Sequence, residues 1–406
     1  MRIGMMADVY KPHISGITNY IELNKKVLEQ VGHDVFVFTF GNEEIPDDEP
    51  HIIRSPGLPL VDTGYYLSFQ HSRRAKKLLQ TMDVVHVHHP FLSGRLALRY
   101  CRPLNIPVIF TNHTRYDIYA QTYLPGIPSE ISESLLETYM PDFCAAVNMV
   151  ISPSPGMAGV LRRFKVTAPI TIIPNGVELN RFYKVNGEAQ RLRYGFAADD
   201  LLLVYTGRLA PEKNLSFLLK AFHGLAEAVP HAHLVLVGDG PEREKLEEQA
   251  LARSSTVGET GVGKRIHFVG RVPYDDLPDY LAMCDVFVTA SISEVHPLSV
   301  IEAMATGLPV MGIQSVGVGD TVKDGVSGYL SSEDLAAFTA KLTRLCLDAP
   351  ARQRMGRQAR KESERYDIHH TTDEMLKHYE RLSRDGHSRQ RGVGFRFRSF
   401  LENFKP

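Results

Sequence analysis

DVFVTASISEVHPLSVIEAMATGLPVMGI, residues Asp285 to Ile313, is the stretch whose reading decides the fold. Val286 to Thr289 is a short apolar run rich in β-branched residues, which predicts a buried strand. A polar loop carrying Glu294 follows, Pro297 opens a helix, and Gly307 with Pro309 stops it. Val310 to Ile313 is a second apolar run, so the whole is a strand-loop-helix-strand unit of the kind that builds a parallel sheet.

The start of that helix lies outside the carboxyl end of a strand, where α/β sheets bind anionic ligands. Unpaired backbone amides of Leu298, Ser299 and Val300 would suit a phosphate there. Glu294 and Glu302 are separated by seven residues and can face one cleft, with no neighbouring residue in the stretch basic enough to neutralise them. Carboxylates accept hydrogen bonds from hydroxyls, so a hydroxylated ligand is indicated. The plainer alternative is that Glu294 caps the helix and Glu302 is solvated.

Glu294-x7-Glu302 followed by A-M-A-x-G-x-P-V resembles the donor-site signature of the retaining glycosyltransferases of family 4. That family has the GT-B architecture. The resemblance therefore implies an α/β chain of two facing Rossmann-like domains with a deep interdomain cleft. Further matches recur in the same order over nearly the whole sequence.

A chain of 406 residues is too long for one ordinary core, and 43% hydrophobic content permits two. A formal net charge of -1 gives no global preference for nucleic acid or for an anionic membrane, so no nucleic-acid partner is expected. Cys101, Cys144, Cys284 and Cys346 are far apart in apolar or helical contexts and suit reduced core thiols of a cytoplasmic protein. MRIGMMADVY carries no long apolar run or cleavage site, and nowhere are eighteen apolar residues consecutive. Neither secretion nor a membrane span is expected.

Arg2 to Ala7, a loop with Gly16, a helix from Thr18 to Val31 and a strand from Asp34 to Phe40 form a Rossmann-like opening. In the family a paired-glycine loop approaches the donor phosphate here; this chain has Ser15 and Gly16, and a turn-only role for Gly16 stays open. From Ile52 to Phe69 the chain reads as irregular, with Tyr65, Tyr66 and Phe69 either lining an acceptor groove or packing a loop. Arg73, Arg74, Lys76 and Lys77 on the next helix would make a membrane-docking face or a plain solvated one.

The strand DVVHVH delivers His86, His88 and His89. Alternation sends neighbouring side chains to opposite faces and no ligand partner is evident, so no metal is expected. Similarity to the family's segment instead implies that these histidines shape the acceptor side, with His88 an acceptor-binding candidate. Val108 to Thr111 is a strand ending in NHTRYDIY, which places His113 where a ligand is reached. The H-T-x-Y-x-x-Y pattern resembles bacterial diacylglycerol glucosyltransferases, and the resemblance implies that His113 meets the transferred sugar. A core histidine bonded to a carbonyl is the alternative. Tyr116, Asp117 and Tyr119 are candidates for acceptor contacts, Asp117 as a proton acceptor. Asn148 to Ser152 is expected to be the last strand of the first domain, and PNGVELNRF, resembling the family's connection, places the boundary near residue 180.

In the second half, the strand Leu201 to Thr206 runs into GRLAPEKN, whose Arg208 and Lys213 suit neutralising a diphosphate. Glu212 is expected to orient Lys213. Gly258 to Lys264 fits the start of a phosphate-binding P-loop, but Arg265 stands where Ser or Thr should hold magnesium and the flanking elements are in the wrong order, so it is rejected. The backbone of GRVPY, Gly270 to Tyr274, corresponds to family backbone lying against the nucleotide base. Where E-x-F-G is usual, this chain has Glu294, Val295, His296 and Pro297, and proline cannot donate an N–H. After Gly328 the chain reads as helical. Thr371 to Leu382 resembles a helix crossing back to the first domain, and the tail alternates Arg396 and Arg398 with Phe395, Phe397 and Phe400. That tail suits an anionic bilayer, single-stranded nucleic acid, or no ordered contact.

The division expected is an acceptor domain over 1–180, a nucleotide-sugar domain over 181–368, a helix over 369–385 and a basic aromatic tail over 386–406. The resemblance implies retaining, metal-independent transfer of a hexose from a nucleotide sugar, UDP-glucose in the preferred reading, to a membrane lipid such as diacylglycerol. No cofactor is called for. Glu302 would bind ribose hydroxyls; Glu294 and His113 would contact the sugar; Arg208, Lys213, Gly16, Leu298 and Ser299 would serve the diphosphate. The catalytic set is His113, Glu294, Arg208 and Lys213. The enzyme would work at the cytoplasmic face of the membrane, in an oligomeric state the sequence leaves open. Transfer to a soluble sugar or sugar phosphate, nucleotide-sugar epimerisation and mere nucleotide binding are the rival readings.

Overall fold

The computed structural model describes residues 1–42, 47, 49–60, 66–123, 126, 128–183, 185–252 and 262–390, with backbone alone for 387–390. Tyr65, most of the glycine-rich insertion before Lys264, and the arginines and phenylalanines of the tail lie outside the described residues.

The chain divides into two compact units, one of 1–113, 128–176 and 368–406, the other of 114–127 and 177–367. The fifteen strands among the described residues are β1 Arg2–Met6, β2 Asp34–Phe40, β3 Ile52–Ser55, β4 Leu58–Pro59, β5 Tyr66–Leu67, β6 Val84–Val87, β7 Val108–Thr111, β8 Met149–Ser152, β9 Ile170–Ile172, β10 Leu201–Thr206, β11 Ala232–Val237, β12 Ile266–Gly270, β13 Val286–Thr289, β14 Val310–Ile313 and β15 Gly328–Ser331.

In the first unit seven strands run in the order β3-β2-β1-β6-β7-β8-β9, all pairs parallel. In the second, six run in the order β12-β11-β10-β13-β14-β15, again all parallel. The central strands are apolar without alternation because helices cover both faces; β10, β13 and β14 are buried at every position. The strand order reverses beside β1 in one sheet and beside β10 in the other. Ligand crevices form at such switch points, outside the carboxyl ends.

Three sequence expectations are corrected at sheet edges. Ile52–Ser55 is a paired strand, β3, rather than irregular chain. β9 follows β8 and pairs with it, so β8 does not end the first sheet. Gly328–Ser331 is the edge strand β15, so the chain after Gly328 is not all helical. Edge strands of three or four residues carry too short an apolar run to be told from loop by pattern; pairing to an existing edge is what extends them. Gly328 also must be glycine, because a Cβ there would meet the Val310 carbonyl oxygen at 2.0 Å.

The C-terminal helix runs from Ile368 to Gln390 and packs within the first unit. Its buried face donates from Thr372 Oγ1 to Asn24 at 2.9 Å, and Tyr379, fully buried, hydrogen-bonds His86 at 2.5 Å. Among the described residues, no helix is long and apolar enough to cross a membrane. All four cysteines are free and buried.

Candidate active site

In the second unit β10 ends at Thr206, and Gly207, at a φ of +147°, turns the chain so that Arg208 and Lys213 follow immediately outside the sheet. Arg208 does not stand alone. Its guanidinium donates to Glu212 at 2.8 Å and to the Tyr123 hydroxyl at 2.9 Å, and Tyr123 in turn donates to Glu212 at 2.6 Å. Burial works against the Glu212 charge, but the hydrogen bonds from Tyr123 and Arg208 outweigh it and hold the carboxyl below its ordinary value. The Glu212 backbone carbonyl is fixed as well, accepting from Ser293 at 3.0 Å.

Lys213 reaches a different carboxylate, donating to Glu294 at 2.6 Å. Burial alone would weaken its charge, and Glu294 more than offsets that, raising its pKa. Two expectations are thereby corrected. Glu212 orients Arg208 rather than Lys213, because a four-residue offset across the 3-10 turn Pro211–Lys213 brings 208 and 212 together. Glu294 is neutralised locally, by a lysine 81 residues earlier that no reading of its own stretch could supply. Nor does Glu294 cap the helix, which has Pro297 at its N-cap position and no side-chain cap.

That helix, Leu298–Thr306, makes its first backbone bond from Ile301 to the Pro297 carbonyl, leaving the amides of Leu298, Ser299 and Val300 without helical partners. Gly317 braces the loop: its amide donates to the Glu294 carbonyl at 3.0 Å, and a Cβ on Gly317 would meet that oxygen at 2.6 Å. The unusual His296 turns inward, buried against the Tyr366 ring at 4.8 Å, and burial pushes its pKa down to about 3. Glu302 is buried, not solvated, and accepts from the Tyr274 hydroxyl at 2.9 Å; burial raises its pKa to about 7.

The segment bearing the acceptor candidates, the helix Tyr116–Tyr123, groups with the second unit. Asp117 is not a free base: it forms a bidentate pair with Arg115, the closest contact 2.6 Å, and is buried. Tyr119 packs against Tyr123 with ring centroids 5.7 Å apart. Tyr116 is partly buried.

In the first unit Gly16 is the first residue of the helix Gly16–Gln30, and Ser15, the departure from a glycine pair, is its N-cap within a capping box closed by Thr18. Space outside Gly16 is open. His86 and His88 share one face of β6, their ring centroids 4.3 Å apart. His88 is fully buried and its Nδ1 lies 3.1 Å from His113 Nε2; His113 is only partly buried. His89, on the other face, accepts from the Asp8 amide at 3.2 Å. Among the described residues no His, Cys, Asp and Glu side chains cluster as metal ligands.

Sequence reasoning missed Tyr123, the side chain of Tyr274, Ser293 and Gly317. Tyr123 lies one helical turn beyond Tyr119 and carried a weak signal as the next tyrosine on that face. The others carried none.

The chain matches the family described as "Glycosyl transferases group 1" over residues 187–362 and that described as "Glycosyltransferase Family 4" over 14–181. It is 30% identical to an alpha-monoglucosyldiacylglycerol synthase of Streptococcus pneumoniae, across 83% of this chain and 77% of that protein. Among solved structures it resembles a sucrose-phosphate synthase of Thermosynechococcus elongatus, with a TM-score of 0.75 and 22% identity over 94% of this chain and 98% of the other. It also resembles Anabaena HepE in complex with UDP-glucose, with a TM-score of 0.71 and 18% identity over 93% and 98%.

Proposed function

This chain belongs to the group 1 glycosyltransferases and has their GT-B fold, and from that premise we propose that it moves glucose from UDP-glucose to a membrane lipid such as diacylglycerol, with retention of configuration and without a metal. The observation that carries the donor half is that Arg208 and Lys213 follow β10, that Lys213 pairs with Glu294 in the loop after β13, and that this loop leads into a helix whose Leu298, Ser299 and Val300 amides have no helical partners. Such an arrangement suits a nucleoside diphosphate, whose departure is the charge-developing step.

The Lys213–Glu294 pair gives the site a direction. With Glu294 accepting from sugar hydroxyls, an ammonium 2.6 Å from it sits where sugar meets diphosphate and stabilises the leaving oxygen. Glu212 and Tyr123 keep Arg208 extended towards the same group without reorganisation. Glu302 would accept from the ribose hydroxyls, the Tyr274 hydroxyl holding its carboxyl in place until then. Fixed cations supply the charge neutralisation, and His113 contacts the transferred sugar. The acceptor hydroxyl attacks from the face the diphosphate leaves, the bond from sugar to diphosphate breaking as the hydroxyl proton passes to the departing diphosphate oxygen, which gives retention.

The lipid half rests on the named activity of the pneumococcal relative. It is supported by an exposed apolar set in the first unit, Leu58, Leu60 and Phe69, followed along the chain by exposed Arg73, Arg74 and Lys77. Apolar insertion beside cations suits an anionic bilayer surface. In this reading the enzyme works at the inner face of the cell membrane.

Release of UDP from UDP-glucose, measured with and without vesicles containing diacylglycerol, tests the reading. Vesicle-dependent release with a new glycolipid is expected. Release with only soluble sugars or sugar phosphates would overturn the lipid acceptor and leave the glycosyltransferase standing. Turnover with no acceptor would point to epimerisation or hydrolysis.

A further inference from the structure

We propose that His88 is a positioning residue that fixes His113 as the tautomer protonated on Nδ1, so that His113 offers its ligand a hydrogen-bond donor and not a base. The inference rests on the reading that His113 meets the transferred sugar, and it follows from a count of protons in a buried pair.

Burial holds both rings well below the ordinary histidine value, and the neighbouring histidines push the same way, so both are neutral at physiological pH. A neutral imidazole has one N–H and one bare nitrogen. His88 Nδ1 and His113 Nε2 are 3.1 Å apart, so one of them carries the proton between them. His88 Nε2, the other nitrogen of that ring, is buried with no hydrogen-bond partner among the described residues.

If His113 Nε2 were the donor, the only proton of His88 would lie on Nε2, an N–H sealed in the core with nothing to accept it. If His88 Nδ1 is the donor, the orphan is a lone pair. Buried unpaired N–H groups are the rarer and costlier of the two. His88 therefore donates, His113 Nε2 accepts, and the single proton of His113 resides on Nδ1. That nitrogen makes no hydrogen bond among the described residues, and its ring is partly exposed.

The rings are held for this task. His86 is locked at both nitrogens, to Tyr379 at 2.5 Å and Thr111 at 2.7 Å, and packs 4.3 Å from His88. Tyr20 covers His113 with ring centroids 4.6 Å apart. The ligand group addressed is an oxygen with a free lone pair, a sugar hydroxyl in the proposed reaction. His113 cannot take a proton from a nucleophile through Nδ1 in this state.

The test uses the full chain labelled with 15N-histidine, together with His88→Leu and His88→Asn. The Asn amide nitrogen falls near the position of His Nδ1 and can still donate; leucine cannot. In the wild type, His113 is expected to show a pyrrole-type Nδ1 and a pyridine-type Nε2. His88→Leu should lose that pattern and about tenfold in kcat/KM for the donor, while His88→Asn stays within about threefold. Adding His113→Ala to His88→Leu should cost little more, because both act through one group. A pyridine-type Nδ1 in the wild type, or equal losses in the two His88 variants, would overturn the proposal. If His113→Ala alone leaves transfer intact, the sugar contact of His113 fails on its own account, and the nitrogen spectrum still decides the tautomer.

Discussion

The two units place different chemistry at the strand ends of two parallel sheets. Outside β10 and β13 the second unit sets four charged side chains in two pairs, Arg208 with Glu212 and Lys213 with Glu294. Along the end of β6 and just beyond β7 the first unit sets mutually tilted neutral imidazoles, His86, His88 and His113, with the Tyr379 hydroxyl on His86. Burial tolerates charge only when it is paired and tolerates imidazole only when it is neutral. On the proposed reading a parallel sheet serves a diphosphate in one half and hydroxyl groups in the other, the difference lying in the side chains at and beyond the strand ends.

The strongest way to break this contrast is to remove charge from the second unit. Arg208→Ala and Lys213→Ala should each lower kcat by about 10²- to 10³-fold, against about tenfold for His113→Ala, measured as UDP release. Comparable losses in all three would mean that the charged half is not where the barrier is lowered.

Acid should act on the neutral imidazoles. His71 and His267 are pushed down to about 4, His86 and His296 to about 3, in each case chiefly by burial. Between pH 6.5 and about 4 the unfolded chain takes up protons that the folded chain refuses, so stability falls as pH falls, by about 1.4 kcal/mol per pH unit per histidine. The urea midpoint should be lower at pH 5 than at pH 7.5. His71→Phe, which keeps the stack on Phe40, should flatten that dependence; an unchanged slope would remove His71 from the account.

Glu302 sharpens the comparison because, among the described residues, it is a buried carboxyl of the charged half without a cation partner. With its pKa raised to about 7, it loses its charge as pH falls, and ribose hydroxyls bind best to the ionised form. The kcat/KM for the donor should drop about tenfold per unit below pH 6, and Glu302→Gln should abolish the dependence. Tyr123→Phe should have the smallest effect, raising KM for the donor about fivefold, since Arg208 and Glu212 still hold each other.

The unit from Asp285 to Ile313 was legible because strand, helix stop and second strand are each signalled by adjacent residues: β13 and β14 run over the residues expected, and the helix begins just after Pro297. Arg208, Lys213 and the helix amides were legible for the same reason, each lying beside the end of an unmistakable apolar strand. What failed was pairing. Glu294 meets Lys213 across 81 residues, Tyr123 meets Glu212 across 89, and Tyr379 meets His86 across 293. β3, β9 and β15 likewise exist because a sheet edge was there to receive them.

The sequence by itself thus determined the elements and the residue types at the strand ends, since propensity, periodicity and turn chemistry act over a few neighbouring residues. Only the tertiary structure decided which charge each cation faces, that Glu302 is buried and that His88 holds His113. These depend on distances and on exclusion of water, which arise when segments far apart in the chain pack together.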